Sequence, residues 1–162
     1  MVRILTLLSL MAALCGALSA QTKTITIRML DGRTGKLIAT SGFLVRIDHQ
    51  QTVHANWTTQ NEDGTNKLTL PESASAFSIQ GTYESSTELY VNCDSLTIKG
   101  AEPIDRWYTI PEILTSGVVA PNGCGKLKET AKLRPAPKPG EFIFFVRKTS
   151  WKEQMNQDYT NH

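Results

Sequence analysis

The segment from Ala120 to Leu127, APNGCGKL, is the part of this sequence closest to a nucleotide-binding motif. A phosphate-binding loop has glycine, four further residues, glycine-lysine and then serine or threonine. Its backbone amides and lysine surround the phosphates while the hydroxyl holds magnesium. Gly125 and Lys126 match, but alanine replaces the first glycine and leucine replaces the hydroxyl residue. The following residues, KETAKLRPAP, do not predict the long helix that should face the phosphates. We therefore predict that no nucleotide binds at Lys126.

Two cysteines, Cys93 and Cys124, are candidates for a disulfide. Cys93 ends the strand-like segment ELYVNC, and Cys124 lies in a turn rich in glycine and asparagine that could approach it. The third cysteine, Cys15, lies in an N-terminal segment that we expect to be removed on export. Two cysteines in an exported chain most often pair, and their wide separation is unlike the Cys-x-x-Cys motif of redox or metal sites. The sequence therefore predicts one intramolecular disulfide.

Histidine and acidic residues offer two weak metal motifs. His49 and His54 would point to opposite faces of one regular strand, and the remaining histidine is the terminal His162, whereas zinc needs three or four converging ligands. Asn61 and Asp63 in NEDGTN could suggest calcium, but the distant bidentate glutamate is missing and a hairpin turn explains the segment. We predict no metal, no cofactor and no catalytic residue.

Three tryptophans are the aromatic candidates for a binding surface. Trp57 lies in a strand-like segment, where a tryptophan is usually part of the core of a sandwich. Trp107 and Trp151 flank the predicted strands, so each could belong either to the core or to a carbohydrate or peptide groove. The sequon at Asn56, NWT, matters only in a host that glycosylates exported proteins.

The first 20 residues have the layout of a secretory signal peptide. Arg3 precedes an apolar run from Ile4 to Leu18, and small residues favour cleavage after Ala20. A lipoprotein anchored through Cys15 is the less favoured alternative, because a leucine precedes that cysteine where a small residue is preferred. The run is shorter than the roughly 20 residues that span a bilayer, and no later segment is suitable, so we expect no transmembrane segment. The sequence predicts a secreted or periplasmic protein.

Charge and length restrict the class of protein. The 17 basic and 15 acidic residues give a formal charge of +2, and loss of Arg3 with the signal peptide would reduce it to +1. This balance predicts neither nucleic acid nor an anionic membrane as a partner. The chain is long enough for a single domain. We expect a signal peptide over 1–20, a β-sandwich over 21–148 with a proline-rich connector at 134–140, and a helical turn and tail over 149–162.

Most of the predicted domain alternates apolar and polar residues, which is typical of half-buried strands. The alternating segments are TITIRML, GFLVRID, QTVHANWT, KLTLP, AFSIQGTY and TELYVNCDSLTI. Turns are predicted where Asp31-Gly32 and Gly35 would supply positive backbone angles, and a hairpin is predicted around Asp63-Gly64. The segment EFIFFVRK is apolar on both faces, so we place it centrally in a sheet covered on each side.

Helical signals are short. In TIPEILTSG, Thr109 and Glu112 predict a capping box, a proline stands in the first turn and Gly117 supplies the end. SWKEQMNQ opens with a second capping box, Ser150 and Glu153. Many short strands with one or two short helices predict an all-β protein, a β-sandwich of the immunoglobulin-like or transthyretin-like kind.

The sequence also resembles a known family. ITIRMLDGRTGKLIA followed by NEDGTNKLTLP resembles the opening of carboxypeptidase-regulatory-like, transthyretin-like β-sandwich domains, and IPEILTSGVVAPNGCGK with KPGEFIFFVRK is similar to the later half of exported bacterial members. The positions that carry the first part are Asp31, Thr34 and Gly35, then Asp63, Gly64, Leu68, Leu70 and Pro71. These motifs specify turns and strands, so they bear on fold more than on activity.

The resemblance implies a non-enzymatic accessory or binding module. Its expected partner is another envelope protein, a peptide or a glycan, with Trp107 and Trp151 as candidate binding-surface aromatics. The alternative is a small extracellular hydrolase whose site residues converge only in the folded chain.

Overall fold

The computed structural model describes residues 22–39, 43–52, 58–81, 90–94, 106–124, 133 and 135–151. In these ranges the chain is mostly β and contains a single helix. The elements in chain order are β1 Thr22–Asp31, β2 Phe43–Ile47, β3 Thr58–Gln60, β4 Asn66–Pro71, β5 Ala76–Gly81, β6 Tyr90–Asn92, β7 Tyr108–Thr109, α1 Ile110–Ser116, β8 Val118–Val119 and β9 Glu141–Lys148.

The strands form two sheets. The large sheet has the order β3-β4-β1-β9-β6, and β8 also pairs with β9. The small sheet has the order β2-β5-β7. In the large sheet β1 pairs antiparallel with β4 and parallel with β9, while β6 pairs antiparallel with β9. The segment EFIFFVRK thus lies inside the sheet as predicted, with β1 on one edge and β8 and β6 on the other.

The main core lies between the two sheets. Alternate residues of β1 and β2 enter it, as the period of two predicts: Ile25, Ile27, Met29, Phe43, Val45 and Ile47 are all buried. Phe142 and Phe144 of β9 join the same cluster and are fully buried. Full burial of such a side chain contributes about 1.5–3 kcal/mol. Two sheets that share one apolar core are consistent with an all-β sandwich.

The outer face of the large sheet carries a second apolar cluster. Leu30, Ile143 and Phe145 are buried there, on the side opposite the main core, together with Cys93. Val119, Cys124 and Leu133 pack against them. Both faces of β9 are therefore covered, which explains why its sequence is apolar at consecutive positions.

The turn after β1 corrects one prediction. Gly35 has a φ of 70° and Gly64, in the hairpin between β3 and β4, has a φ of 78°, as their turns require. Asp31 and Gly32 have no positive φ, so the prediction that this pair supplies one is wrong. Gly32 is needed for a different reason, since a Cβ there would lie 2.6 Å from Cys93 Sγ and 2.9 Å from Cys124 Cβ. Close packing rather than a turn conformation requires glycine at this position.

The caps of α1 agree in part with the sequence. Gly117 ends the helix with a φ of 74°, and its N–H donates to the Ile113 carbonyl at 2.9 Å. Thr109 is the N-cap residue, but its hydroxyl makes no capping hydrogen bond to the backbone. It donates instead to the Glu112 carboxylate at 3.1 Å. The predicted capping box is therefore replaced by a contact between the two side chains.

Several predictions lie outside the described residues. They concern the signal peptide with Cys15, the sequon at Asn56, and the side chains of His54, Trp57, Lys126, Glu153 and His162. Among the residues that are described, no helix is long and apolar enough to span a bilayer.

Candidate functional site

A depression of about 320 Å³ opens at one end of the large sheet. The described residues that line it are Asp31, Arg33, Thr34, Lys36, Ile38, Tyr90, Arg147 and Lys148. Pockets that take small ligands begin at about this volume. None of these residues was a candidate for a binding site in the sequence.

The parallel pairing of β1 with β9 creates this site. Asp31 is aligned with Val146, so both strands reach their carboxyl ends at the same edge of the large sheet. β6 runs the opposite way and begins there, with Tyr90 aligned with Lys148. Three segments that are distant in sequence thus supply side chains to one place, and the hydrogen-bonded ladders between them fix their relative positions.

The Asp31 carboxylate organises the turn that carries two of the cations. Its Oδ1 accepts hydrogen bonds from the Arg33 N–H at 3.0 Å, the Thr34 N–H at 2.7 Å and the Thr34 hydroxyl at 2.8 Å. The backbone closes the turn, since the Asp31 N–H donates to the Lys36 carbonyl at 2.8 Å and the Gly35 N–H donates to the Asp31 carbonyl at 2.8 Å. Arg33 and Lys36 are therefore held on an ordered turn.

These hydrogen bonds also set the ionisation of the carboxylate. Burial acts to raise the pKa of Asp31, but the Thr34 hydroxyl, the two backbone N–H donors and the Arg33 charge outweigh it, so the pKa lies below its ordinary value of 3.8. Asp31 is consequently ionised at neutral pH. Three hydrogen bonds from the turn stabilise the charged carboxylate, which makes it poorly suited to act as a general base.

Positive charge dominates the lining of the depression. Among the described residues that line it, four basic side chains and one carboxylate have a formal excess of three positive charges, whereas the whole sequence has a formal charge of +2. Arg33, Lys36 and Lys148 are exposed and Arg147 is half-buried. A concave surface with one sign of charge concentrates the field and attracts ions of opposite sign.

Apolar residues anchor the depression to the core. Tyr90 belongs to the main cluster between the sheets, and Ile38 packs against that cluster. The Ile38 N–H donates to the Met29 carbonyl at 2.9 Å, which holds the chain returning from the turn alongside β1. The residues that carry the cations therefore lie beside a well-packed apolar base.

The predicted disulfide between Cys93 and Cys124 is present, with 5.0 Å between the two Cα atoms. It draws the loop after β8 against the outer face of the large sheet. The Gly123 N–H donates to the Cys93 carbonyl and the Asn122 amide donates to the Gly32 carbonyl, both at 2.8 Å. Gly32 stands between Asp31 and Arg33, so the disulfide and its loop support the same turn that lines the depression.

The aromatic candidates lie elsewhere. Trp107 is half-buried, and its ring packs against the His49 ring with 4.2 Å between ring centroids and a tilt of 37°. Trp151 is 71% exposed. Neither lines the depression, and they are not brought together with its cations.

The backbone beside His49 is held by its acidic neighbour. Asp48 and His49 have φ of 48° and 61°, an unusual conformation for residues with side chains. Asp48 Oδ1 accepts hydrogen bonds from the Ser75 hydroxyl at 2.7 Å, the Ser75 N–H at 2.9 Å and the Ala76 N–H at 2.9 Å. Asp48 therefore fastens the turn after β2 to the start of β5, which is a structural role.

The calcium motif is a turn. Asp63 Oδ1 accepts from the Thr65 hydroxyl at 2.6 Å and from the Thr65 N–H at 3.0 Å, and the Asn61 amide donates to the same hydroxyl at 2.9 Å. The polar groups thus serve the hairpin. In the described part of the chain, no three His, Cys, Asp or Glu side chains are grouped so that they could hold a metal ion.

A buried polar pair joins the two sheets. The Tyr108 hydroxyl, on β7 of the small sheet, donates to the carboxylate of Asp94, which follows β6 of the large sheet. Both residues are buried. Burial, followed by the hydrogen bond and the negative charge of Asp94, raises the pKa of Tyr108 far above its ordinary value. The phenol stays protonated and acts as a link between the sheets.

Comparison with family models, curated proteins and solved structures finds no match to this chain. Its function is therefore argued from the chemistry of the depression.

Proposed function

We propose that the protein is a non-enzymatic binding module, secreted or periplasmic, whose ligand site is the depression at the carboxyl ends of β1 and β9. The observation that carries this proposal is the convergence of four basic side chains, two from the turn after β1 and two from the end of β9, on one concavity of about 320 Å³. The strand ladders, the apolar base and the disulfide-bonded loop hold these segments in fixed positions. Preorganised groups on a rigid frame bind ligands at a lower entropic cost.

Two observations favour an extracytoplasmic location. The Cys93–Cys124 disulfide is of a type that persists in oxidising compartments. Residues 1–20 have the composition of a signal peptide. We place the domain among the immunoglobulin-like, transthyretin-like sandwiches, with an envelope protein, a peptide or a glycan as the partner. Two sheets over one core and the Asp-Gly turn before β4 support this assignment.

The chemistry of the site favours binding over hydrolysis. Its guanidinium and ammonium groups suit the recognition of anions. A hydrolase would also need a nucleophile activated by an adjacent base. The Thr34 hydroxyl in the depression donates to Asp31, whose lowered pKa makes that carboxylate a weak base. The alternative of a small extracellular hydrolase therefore has less support at this site.

The proposal is tested by NMR with isotope-labelled, natively exported protein and a panel of neutral and acidic oligosaccharides and peptides. A binding module should show saturable shifts in residues 31–38 and 147–148, and the ligand should be recovered intact. Catalytic release of product from any panel member, lost on substitution of the lining residues, would establish the hydrolase instead.

A further inference from the structure

We infer that the depression recognises a phosphate monoester, an inference that rests on the proposed binding function and specifies its ligand. The first argument is charge. A phosphate monoester carries about −1.5 to −2 charges at neutral pH. The described lining residues have a formal excess of three positive charges. A dianion is attracted to this set of cations more strongly than a single carboxylate is.

The second argument is the arrangement of donors. Arg33 and Lys36 come from the turn after β1, and Arg147 and Lys148 come from the end of β9, so cations approach the depression from two segments. Arginine presents a planar fork that can bind two oxygens, while lysine acts as a point charge. A phosphate group has three terminal oxygens that can accept hydrogen bonds from several directions. A carboxylate has two oxygens in one plane and can accept hydrogen bonds from fewer directions.

The third argument is the state of the acidic residue. Asp31 would repel an anion if its charge were unscreened. Its carboxylate, however, accepts two backbone N–H groups and the Thr34 hydroxyl, and the Arg33 charge lies close enough to lower its pKa. Its negative charge is therefore offset locally, and the cations on either side retain their attraction for a ligand.

The organic part of the ester also has a place. Tyr90 and Ile38 line the same depression and connect it to the apolar core. A sugar or glycerol group attached to the phosphate can contact these side chains while the phosphate meets the cations. Both a soluble sugar phosphate and a lipid headgroup have this chemistry, and the experiment separates the two sources.

The test measures binding of the full exported protein to glucose 6-phosphate by calorimetry and NMR, in low and physiological salt. Vesicles of phosphatidylcholine with and without phosphatidic acid form the lipid arm. We expect saturable binding that weakens several-fold between about 50 and 200 mM salt, because the contacts are partly exposed. Affinity should also fall below about pH 6, where the ester becomes a monoanion. Sulfate, which stays a dianion, should show no such fall.

Variants locate the site. Arg33→Gln combined with Lys36→Gln should weaken binding by about tenfold or more, since two charge-assisted contacts from exposed side chains are lost. Lys67→Gln is the matched control for Lys36→Gln, because Lys67 is an exposed lysine of β4 outside the depression. The control should change affinity less than about twofold, since it removes only a distant screened charge. Unchanged thermal unfolding verifies that the variants are folded.

The outcomes distinguish failure of the phosphate inference from failure of the binding function. Binding to glucose 6-phosphate, or to phosphatidic acid vesicles alone, with loss in the double variant supports the inference and names the source. Equal weakening by the double variant and by Lys67→Gln would place the phosphate elsewhere and overturn it. If no phosphate binds while a neutral panel ligand shifts residues 31–38, the inference fails and the binding function stands. If the protein instead turns over a panel member at this site, both fail.

Discussion

Gly32 lies so close to Cys93 that a Cβ built on the glycine would be 2.6 Å from the cysteine sulfur. The same Cβ would be 2.9 Å from Asn122 Oδ1. The Gly32 N–H donates to the Val146 carbonyl at 2.8 Å, and its own carbonyl accepts the Asn122 amide. The glycine is thus fixed between β9 and the disulfide, and it carries the turn that lines the depression.

Gly32→Ala should lower the free energy of unfolding by about 1–3 kcal/mol, the usual cost of forcing a methyl group into packed surroundings. The backbone angle is not the cause, because Gly32 has no positive φ. Urea denaturation measures the change. Part of the penalty should disappear in a Cys93→Ala, Cys124→Ala background, which removes the sulfur atoms from the contact. An identical penalty in both backgrounds would show that the disulfide is not what Gly32 packs against.

Reducing the disulfide should destabilise the protein by about 3–4 kcal/mol in the chain-entropy account, since the bridge closes a loop of 31 residues. It should also loosen Val119 and Cys124 from the outer face of the large sheet. Intact mass after alkylation in denaturant, with and without reductant, counts the free thiols. Two alkylatable thiols in natively exported protein would contradict the bridge.

Asp48→Ala should destabilise the fold by about 1–2 kcal/mol, because the hydrogen bonds to Ser75 and Ala76 disappear while the backbone keeps its positive φ. Asp48→Asn should cost less, since asparagine keeps an acceptor oxygen and tolerates this conformation. Chemical denaturation of both variants at neutral pH tests the order. Equal losses would argue that the side-chain acceptor contributes nothing.

Asp48 should also make the stability of the protein depend on pH. The Ser75 hydroxyl, together with the Ala76 and Ser75 N–H groups, outweighs burial and holds the pKa of Asp48 below its ordinary value of 3.8. A carboxyl group whose pKa is lower in the folded state than in the unfolded state stabilises the fold at pH values above its unfolded pKa. This stabilisation is lost as the pH falls through the folded pKa. Below about pH 4 the wild type should therefore lose its advantage over Asp48→Asn. A gap between the two that stays constant down to pH 2 would be inconsistent with this role.

Tyr108→Phe should lower the free energy of unfolding by about 1–3 kcal/mol, because it removes the hydroxyl that donates to the buried Asp94 carboxylate. The double variant Tyr108→Phe, Asp94→Ala should lose less free energy of unfolding than the sum of the two single losses, because it has no buried carboxylate without its partner. A double-mutant cycle by urea denaturation gives the coupling. Strict additivity would mean that the pair does not link the sheets energetically.

Local patterns in the sequence were sufficient for much of the fold. Ile25, Ile27 and Met29 share a face because side chains alternate along a strand, so their burial follows from β1 alone. The consecutive apolar residues of EFIFFVRK require cover on both faces, which predicts a central strand. Cysteine number and export together predict the disulfide. Each of these inferences uses a property of one segment.

The tertiary structure alone decided the candidate site. Two of the cations, Arg33 and Lys36, are more than a hundred residues away in sequence from the other two, Arg147 and Lys148. The two pairs meet because β1 and β9 pair in parallel, with Asp31 beside Val146. Alternation within a strand specifies its faces but not its neighbour, direction or register. The same limit applies to Gly32, which the sequence presents as a turn residue, and to Asp94 with Tyr108. Their roles depend on atoms from distant segments, and those contacts exist only after the two sheets and the loop have packed.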